Sequence, residues 1–223
     1  MQTVKHPRVP GRDEYRVIVL DFDGVVVESN DIKHRAMAEI FRPYTEKYEE
    51  IMAYHRGHNA VNRFVKFRHI QENILAQPYD EKLTGRWAAE FAALTRRQII
   101  SCPFVTGAEE FLKYYSRAYP LYLASATPHE ELGIILAARG LTGYFKEFFG
   151  APKPKTATFA EIAAREKIEP AELLFIGDSA EDQRSAAAFG CRFVARQSDH
   201  NFVESGAPVF ADLQEIYNAL QLS

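Results

Sequence analysis

An α/β fold, a parallel sheet carrying an all-helical insertion, is what this sequence predicts, on three observations. Short apolar runs rich in β-branched and aromatic residues recur along the chain: RVIVL (16–20), LYLAS (121–125), EFFG (147–150), LLFIG (173–177) and CRFVA (191–195). From residue 102 onward, helix-period segments separate these runs, the alternation expected of a parallel sheet covered on both faces. Between Asp31 and about Ile100 there is no such run, and the apolar period is helical throughout.

The elements follow in order. Residues 1–14 read as a polar lead-in, and RVIVL as a strand buried on both faces. In the insertion, Ala36, Ile40 and Phe41 share one helical face. Pro43 starts or kinks a second helix with Tyr44, Tyr48, Ile51 and Met52 as its stripe. RGHN (56–59) breaks the pattern, with Asn59 placed to cap a third helix that carries Val61 to Leu75 and ends before Pro78. Asp80 is placed to cap a fourth, with Leu83, Trp87, Phe91, Leu94 and Ile99.

SCPF (101–104) links back to the sheet. Thr106 with Glu109, and Thr127 with Glu130, have the spacing of capping boxes for the next two helices. Gly140 stops the second of these, Thr156 to Lys167 is helical, and Ser179–Phe189 is a helix stopped by Gly190. Val209–Phe210 reads as an edge strand and Asp212–Leu220 as a final helix. The domain division that follows is a core of residues 15–29 plus 102–223, with residues 30–101 inserted as a helical cap.

Composition narrows the function classes. The chain has 223 residues with 27 basic and 30 acidic side chains, a formal net charge of −3. That balance gives no field for nucleic acid or an anionic membrane. Two cysteines, Cys102 and Cys191, argue against a disulfide scaffold and against a paired-cysteine metal site. No apolar run approaches the roughly 18 residues needed to span a bilayer. A soluble cytoplasmic protein, monomeric or a small homo-oligomer, is expected.

In open α/β sheets, ligands bind beyond the carboxyl ends of the strands. RVIVL is followed by Asp21 and Asp23, LYLA by Ser125 and Ala126, EFFG by Lys153 and Lys155, and LLFIG by Asp178 and Asp182. Carboxylates, a hydroxyl and a lysine therefore converge on one edge. Close carboxylates repel unless a proton or cation lies between them. Asp21 with Asp178 would make a hard oxygen site suited to Mg²⁺, while a lysine and a hydroxyl would hold phosphate oxygens. A carboxylate can also attack as nucleophile, with a second one as general acid/base. Gly24 lets the chain turn beside the substrate.

Taken together, DFDGVVVES, ASATP, GAPKPK and FIGDSAED resemble the four motifs of the haloacid dehalogenase superfamily. The position of the insertion resembles members with a helical cap between the first two motifs, among them phosphoglycolate phosphatase-like enzymes and β-phosphoglucomutase. The resemblance implies a Rossmann-like core and a Mg²⁺-dependent phosphatase acting on a small phosphorylated substrate through an aspartyl-phosphate. It implies Asp21 as nucleophile and Asp23 as general acid/base, whose backbone carbonyl also ligates the metal. It further implies Ser125 as the phosphate-binding hydroxyl, Asp178 as an acidic metal ligand, and Asp182 holding the metal-bound waters or the lysine. One family pattern picks Lys153 as the basic residue of the third motif and another picks Lys155. The runs SATPxxEL and YFKEFFGAP favour Lys155.

The helical insertion supplies substrate contacts in such families. RGHNAVNRFVKF (56–67) is the nearest match to their cap loop, making Arg63 the candidate anion binder. Glu28 and Ser29, leaving the first motif, are placed to face the substrate. Arg63 and Lys66, one turn apart, otherwise read as a solvated helical face. The alternative functions are a phosphomutase using the same first half-reaction and, from another class, a catalytically silent phosphate-binding scaffold.

Overall fold

The computed structural model describes residues 9–58, 61–198, 200, 202 and 206–222. Six strands form one sheet in the order β3-β2-β1-β4-β5-β6: β1 Val17–Leu20, β2 Leu121–Pro128, β3 Glu147–Ala151, β4 Leu173–Gly177, β5 Arg192–Arg196 and β6 Val209–Phe210. Every pairing is parallel. Successive side chains on a strand point to opposite faces. Ile18, Leu20, Leu123 and Ile176 accordingly join one apolar cluster, and Val17, Val19, Tyr122 and Phe175 the other. Both faces are buried, which is why the strands are continuously apolar.

On the first face pack α5 (Ala108–Ala118), α6 (His129–Ala138) and α9 (Leu213–Leu222), through Phe111, Ile135 and Ile216. The other face is covered by α7 (Lys155–Glu166) and α8 (Ala180–Phe189), through Phe159, Ile162 and Ala186. The chain moves from β1 outward to β2 and β3, then returns to β4 on the other side of β1. That reversal opens a crevice beyond the carboxyl ends of β1 and β4.

Residues 30–101 contribute α1 (Asn30–Phe41), α2 (Tyr48–Gly57), α3 (Arg63–His69) and α4 (Glu81–Ser101). They enclose their own apolar cluster, including Met37, Phe41, Ile51, Phe67, Ile70, Trp87 and Phe91. The chain leaves the core at Val27 and returns at Phe104, and these two residues bridge each other in antiparallel fashion. Arg139 of α6 donates to the carbonyls of Ile99, Ile100 and Cys102 at 2.8–2.9 Å, satisfying the end of α4.

Several local expectations are corrected. The third helix is not one α-helix to Leu75. α3 gives way at Ile70–Ile74 to a wide π-turn, closed by the Leu75 amide donating to the Ile70 carbonyl at 2.8 Å. Asn59 lies outside the described residues, and the α3 cap is Asn62, whose side chain accepts from the Phe64 amide. Tyr44 precedes α2 and packs on Trp87. Neither Thr106 nor Thr127 caps a helix. α5 is entered through Gly107 at φ 79°, where a side chain would meet the backbone of Gln214. β2 runs on to Pro128 because Pro128 pairs with Ala151 of β3. The lead-in is not merely polar: Val9 packs on the core, and Arg12 bonds the Leu220 carbonyl of α9.

Candidate active site

The carboxyl end of β1 continues directly into Asp21, whose amide still donates to the Ile176 carbonyl in ladder fashion. The chain then turns through Gly24 at φ 75°, a conformation glycine takes without strain. A Cβ there would lie 2.1 Å from Oδ2 of Asp178. The glycine therefore allows the β1 turn to press against the β4 turn, bringing the two acidic motifs together.

Asp178 follows β4, and Asp182 lies in the first turn of α8. Ser179 caps that helix: its hydroxyl accepts from the Asp182 amide at 3.1 Å, while Asp182 Oδ2 accepts from the Ser179 amide and hydroxyl. The other Asp182 oxygen accepts from Lys155. The carboxylate is thus both helix cap and lysine anchor, and both oxygens are engaged. Lys155 begins α7, and its ammonium also donates to Oδ2 of Asp21 at 2.8 Å. One oxygen from each of Asp21, Asp178 and Asp182 lies within 4.8 Å of the other two, and all three residues are buried.

Burial and mutual repulsion set the electrostatics. Burial first, then Asp182 and Asp23, push the Asp21 carboxyl up to about 7, against the opposing pull of Lys155. Burial, Asp182 and Asp21 hold Asp178 well above the usual carboxylate range, although Asn30 donates to its Oδ2 at 2.7 Å. Burial alone would lower the Lys155 ammonium, but Asp182 and Asp21 outweigh it and raise it. Concentrated buried carboxylates with raised pKa values are what a divalent cation relieves. The donors are hard oxygens, and Asp178, with only Oδ2 engaged by Asn30, is the least committed of the three, so the set fits Mg²⁺.

Asp23 differs from its neighbours. Its Oδ1 accepts from Ser29 at 2.6 Å, and its Oδ2 from Thr127 at 3.0 Å and Ser125 at 3.4 Å. Lys33, in the first turns of α1, places its Nζ 2.5 Å from Oδ2. Burial opposes ionisation, but Lys33 and the hydroxyls outweigh it, so this carboxyl is lowered. Two carboxylates two residues apart are thereby driven in opposite directions, a pattern that separates acid/base roles.

Asp21, Asp23, Ser125, Lys155, Asp178 and Asp182 are therefore brought together, with Gly24 beside them. Ser125 Oγ also accepts from the Thr127 amide at 3.1 Å. A cleft of about 280 Å³ reaches Ser125, Ala126 and Lys155 from solvent, with Lys153 on its wall. Lys153 itself pairs with Glu161 and lies over the Phe149 ring, away from the carboxylates. Glu28 turns outward to Arg196, 2.6 Å away. Arg63 and Lys66 do not form a solvated face, since both are buried. Arg63 pairs with Glu131 of α6 at 2.9 Å and stacks on Phe91, while Lys66 donates to His55 Nδ1 at 3.3 Å.

Thr127, Asn30 and Lys33 also belong to this cluster, beyond the residues that the motifs mark. For the last two a signal existed. α1 begins immediately after the first acidic motif, and residues three apart share a helical face, so Asn30 and Lys33 must overhang it together.

The chain matches the haloacid dehalogenase-like hydrolase family over residues 15–190. It belongs to that family. A phosphoglycolate phosphatase of Thiobacillus denitrificans is 32% identical over 189 residues, covering 79% of this chain and 80% of the relative. A phosphoglycolate phosphatase of Haemophilus influenzae is 25% identical over 225 residues, covering 93% and 99%. Among solved structures, a hydrolase from Pseudomonas syringae shares the fold with a TM-score of 0.76 at 17% identity, covering 93% of this chain and 98% of that one. The haloacid dehalogenase-like chain is thus a hydrolase of the phosphatase type. No described helix is long and apolar enough to cross a membrane.

Proposed function

We propose that the protein hydrolyses small phosphate monoesters through a phosphoryl group carried on Asp21, with Asp21, the Asp23 carbonyl and Asp178 holding Mg²⁺. We further propose residues 30–101 as a cap over a core of residues 15–29 and 102–223. The observation that carries the reading is the Lys155 ammonium shared by Asp21 and Asp182 at the mouth of β1 and β4. It fixes the Asp21 carboxylate and leaves a cation on the wall of the same cleft as Ser125.

Lys155 and Ser125 hold the phosphoryl oxygens by charge-assisted hydrogen bonds. The bound cation supplies further positive charge to those oxygens and keeps the carboxylates ionised. An Asp21 oxygen attacks phosphorus, and the ester P–O bond breaks on the opposite side. Asp23 gives the leaving oxygen its proton. Lys33 stands on Asp23 Oδ2, and substrate entry would have to loosen that contact for Asp23 to act as the acid. Losing the ammonium shifts Asp23 toward the protonated form an acid needs. Asp23 then takes a proton from water, and that water attacks the phosphoryl group and frees Asp21 and inorganic phosphate.

The test is a hydrolysis panel with and without Mg²⁺: 2-phosphoglycolate, the substrate in the relatives' names, with sugar phosphates, nucleotides and amino-sugar phosphates. Mg²⁺-dependent release of phosphate, with a beryllium fluoride adduct on Asp21, is expected. Phosphoryl transfer to a sugar hydroxyl faster than release to water would replace hydrolysis with a mutase reaction. No turnover of any ester would leave the scaffold reading.

A further inference from the structure

We infer that the substrates carry an apolar group on the leaving side, seated in a cleft between cap and core next to the phosphate site. The inference rests on the phosphatase reading and narrows its substrate class. The cleft that reaches Ser125 and Lys155 does not end there. A second cleft of about 670 Å³ adjoins it, and Asn62, Val65, Ala151 and Pro152 wall both. A molecule whose phosphate reaches Lys155 through the first cleft therefore has the second as the space for its remainder. Its volume lies within the roughly 300–1,000 Å³ of ordinary small-molecule sites.

The chemistry of the wall selects the occupant. Phe64 and Val65 of α3 form the cap side and are 50% and 58% exposed. Pro128, Ala151 and Pro152, at the carboxyl ends of β2 and β3, form much of the core side, with the His129 ring stacked on Phe148 at its edge. A single exposed apolar residue means little. Here two adjacent ones face two prolines across a gap that opens into a catalytic cleft, and the next inward residue of the helix, Phe67, is already in the cap core. Asn62 Oδ1 is taken by the Phe64 amide at 2.8 Å. Glu130 on the same wall adds a negative charge that disfavours a second acidic group there. The cleft thus favours a hydrocarbon or aromatic moiety over a carboxylate.

The alkyl phosphates ethyl, butyl and hexyl test this, because the reacting oxygen is chemically the same in all three. With Mg²⁺ present, kcat/KM should rise about three- to fourfold per methylene that the cleft buries, which makes hexyl phosphate about 10²-fold better than ethyl. Val65→Asp should lower the hexyl-to-ethyl ratio at least about tenfold, and Phe64→Ser should lower it in the same direction. Both side chains are half exposed, and circular dichroism would confirm that the variants fold. A flat series would overturn the inference, as would a ratio that neither variant changes or a higher kcat/KM for 2-phosphoglycolate than for hexyl phosphate. In each of these cases the phosphatase reading stands. No Mg²⁺-dependent turnover of any ester would instead overturn the phosphatase reading, and the inference with it.

Discussion

The ammonium of Lys155 lies 2.8 Å from the carboxylate of Asp21, its partner across 134 positions of sequence, and bonds Asp182 at the same time. It is the cation that holds both acidic motifs in register with the start of α7. Lys153, two residues earlier, spends its charge on Glu161.

Lys155→Ala should accordingly cost far more than Lys153→Ala. Removing a charge from the transferring phosphoryl group is expected to lower kcat/KM by about 10²–10³ or more, and Lys153→Ala by less than tenfold. Steady-state kinetics on one substrate ranks the two. The reverse order would show that the cleft-lining lysine, not the buried one, meets the phosphate.

How much of this was legible in the sequence depended on range. Asp21, Asp23, Ser125 and Asp178 could be placed because each directly follows an apolar run, and strand ends in a parallel sheet share one edge. Thr127 was misread for a physical reason: a threonine three residues before a glutamate is a helix-start signal when only neighbours are considered. Pairing of Pro128 with Ala151 extends β2 past it, and the hydroxyl is delivered to Asp23. For Arg63 the sequence offers an anion binder or a solvated cation and not the ion pair with Glu131, because Glu131 belongs to another helix that only the folded chain brings near. The role of Gly107 in starting α5 is likewise settled by what the backbone meets, not by side-chain spacing.

Asp21→Asn should abolish turnover and yet stabilise the metal-free protein at alkaline pH. Asp21 has a folded pKa raised above its unfolded value, so its contribution to stability is fully present below about pH 4 and is lost as pH rises through about 7. An amide at pH 8 carries no charge for burial to penalise or for Asp182 and Asp23 to repel. We expect a gain of about 1 kcal/mol or more, or about 2–4 °C in Tm, measured in chelator. A lower Tm than wild type at pH 8 would show that the Lys155 pair outweighs burial and repulsion together.

Asp178→Ala should abolish Mg²⁺-dependent activity and remove the thermal stabilisation that Mg²⁺ gives the wild type. Binding only to the folded state stabilises by mass action, about 2.7 kcal/mol at a hundredfold excess over Kd. Calorimetric scans at increasing Mg²⁺ should show a rising Tm for wild type and a flat one for the variant. Full turnover of wild type in excess chelator would rule out a cation at Asp21 and Asp178.

His55 should make the cap sensitive to mild acid. The ring is buried between α1 and α3, stacked on His34, with Lys66 donating to Nδ1. An acceptor at Nδ1 puts the proton on Nε2, a buried atom with no hydrogen-bond partner among the described residues. Burial, then the charges of Lys66, His34, Lys33 and Arg56, push its pKa down to about 2. The unfolded imidazole takes a proton near pH 6.5 and the folded one does not. Stability is therefore complete above pH 6.5 and is lost progressively as pH falls toward 2. The loss from this one group approaches about 1.4 kcal/mol per pH unit once below 6.5. In urea titrations, wild type should lose about 1.4 kcal/mol relative to His55→Leu between pH 7.5 and 5.5, because leucine fills the same apolar pocket without a proton to bind. Parallel stability curves for the two proteins would mean that the imidazole titrates normally, and hence that water reaches the interface between α1 and α3.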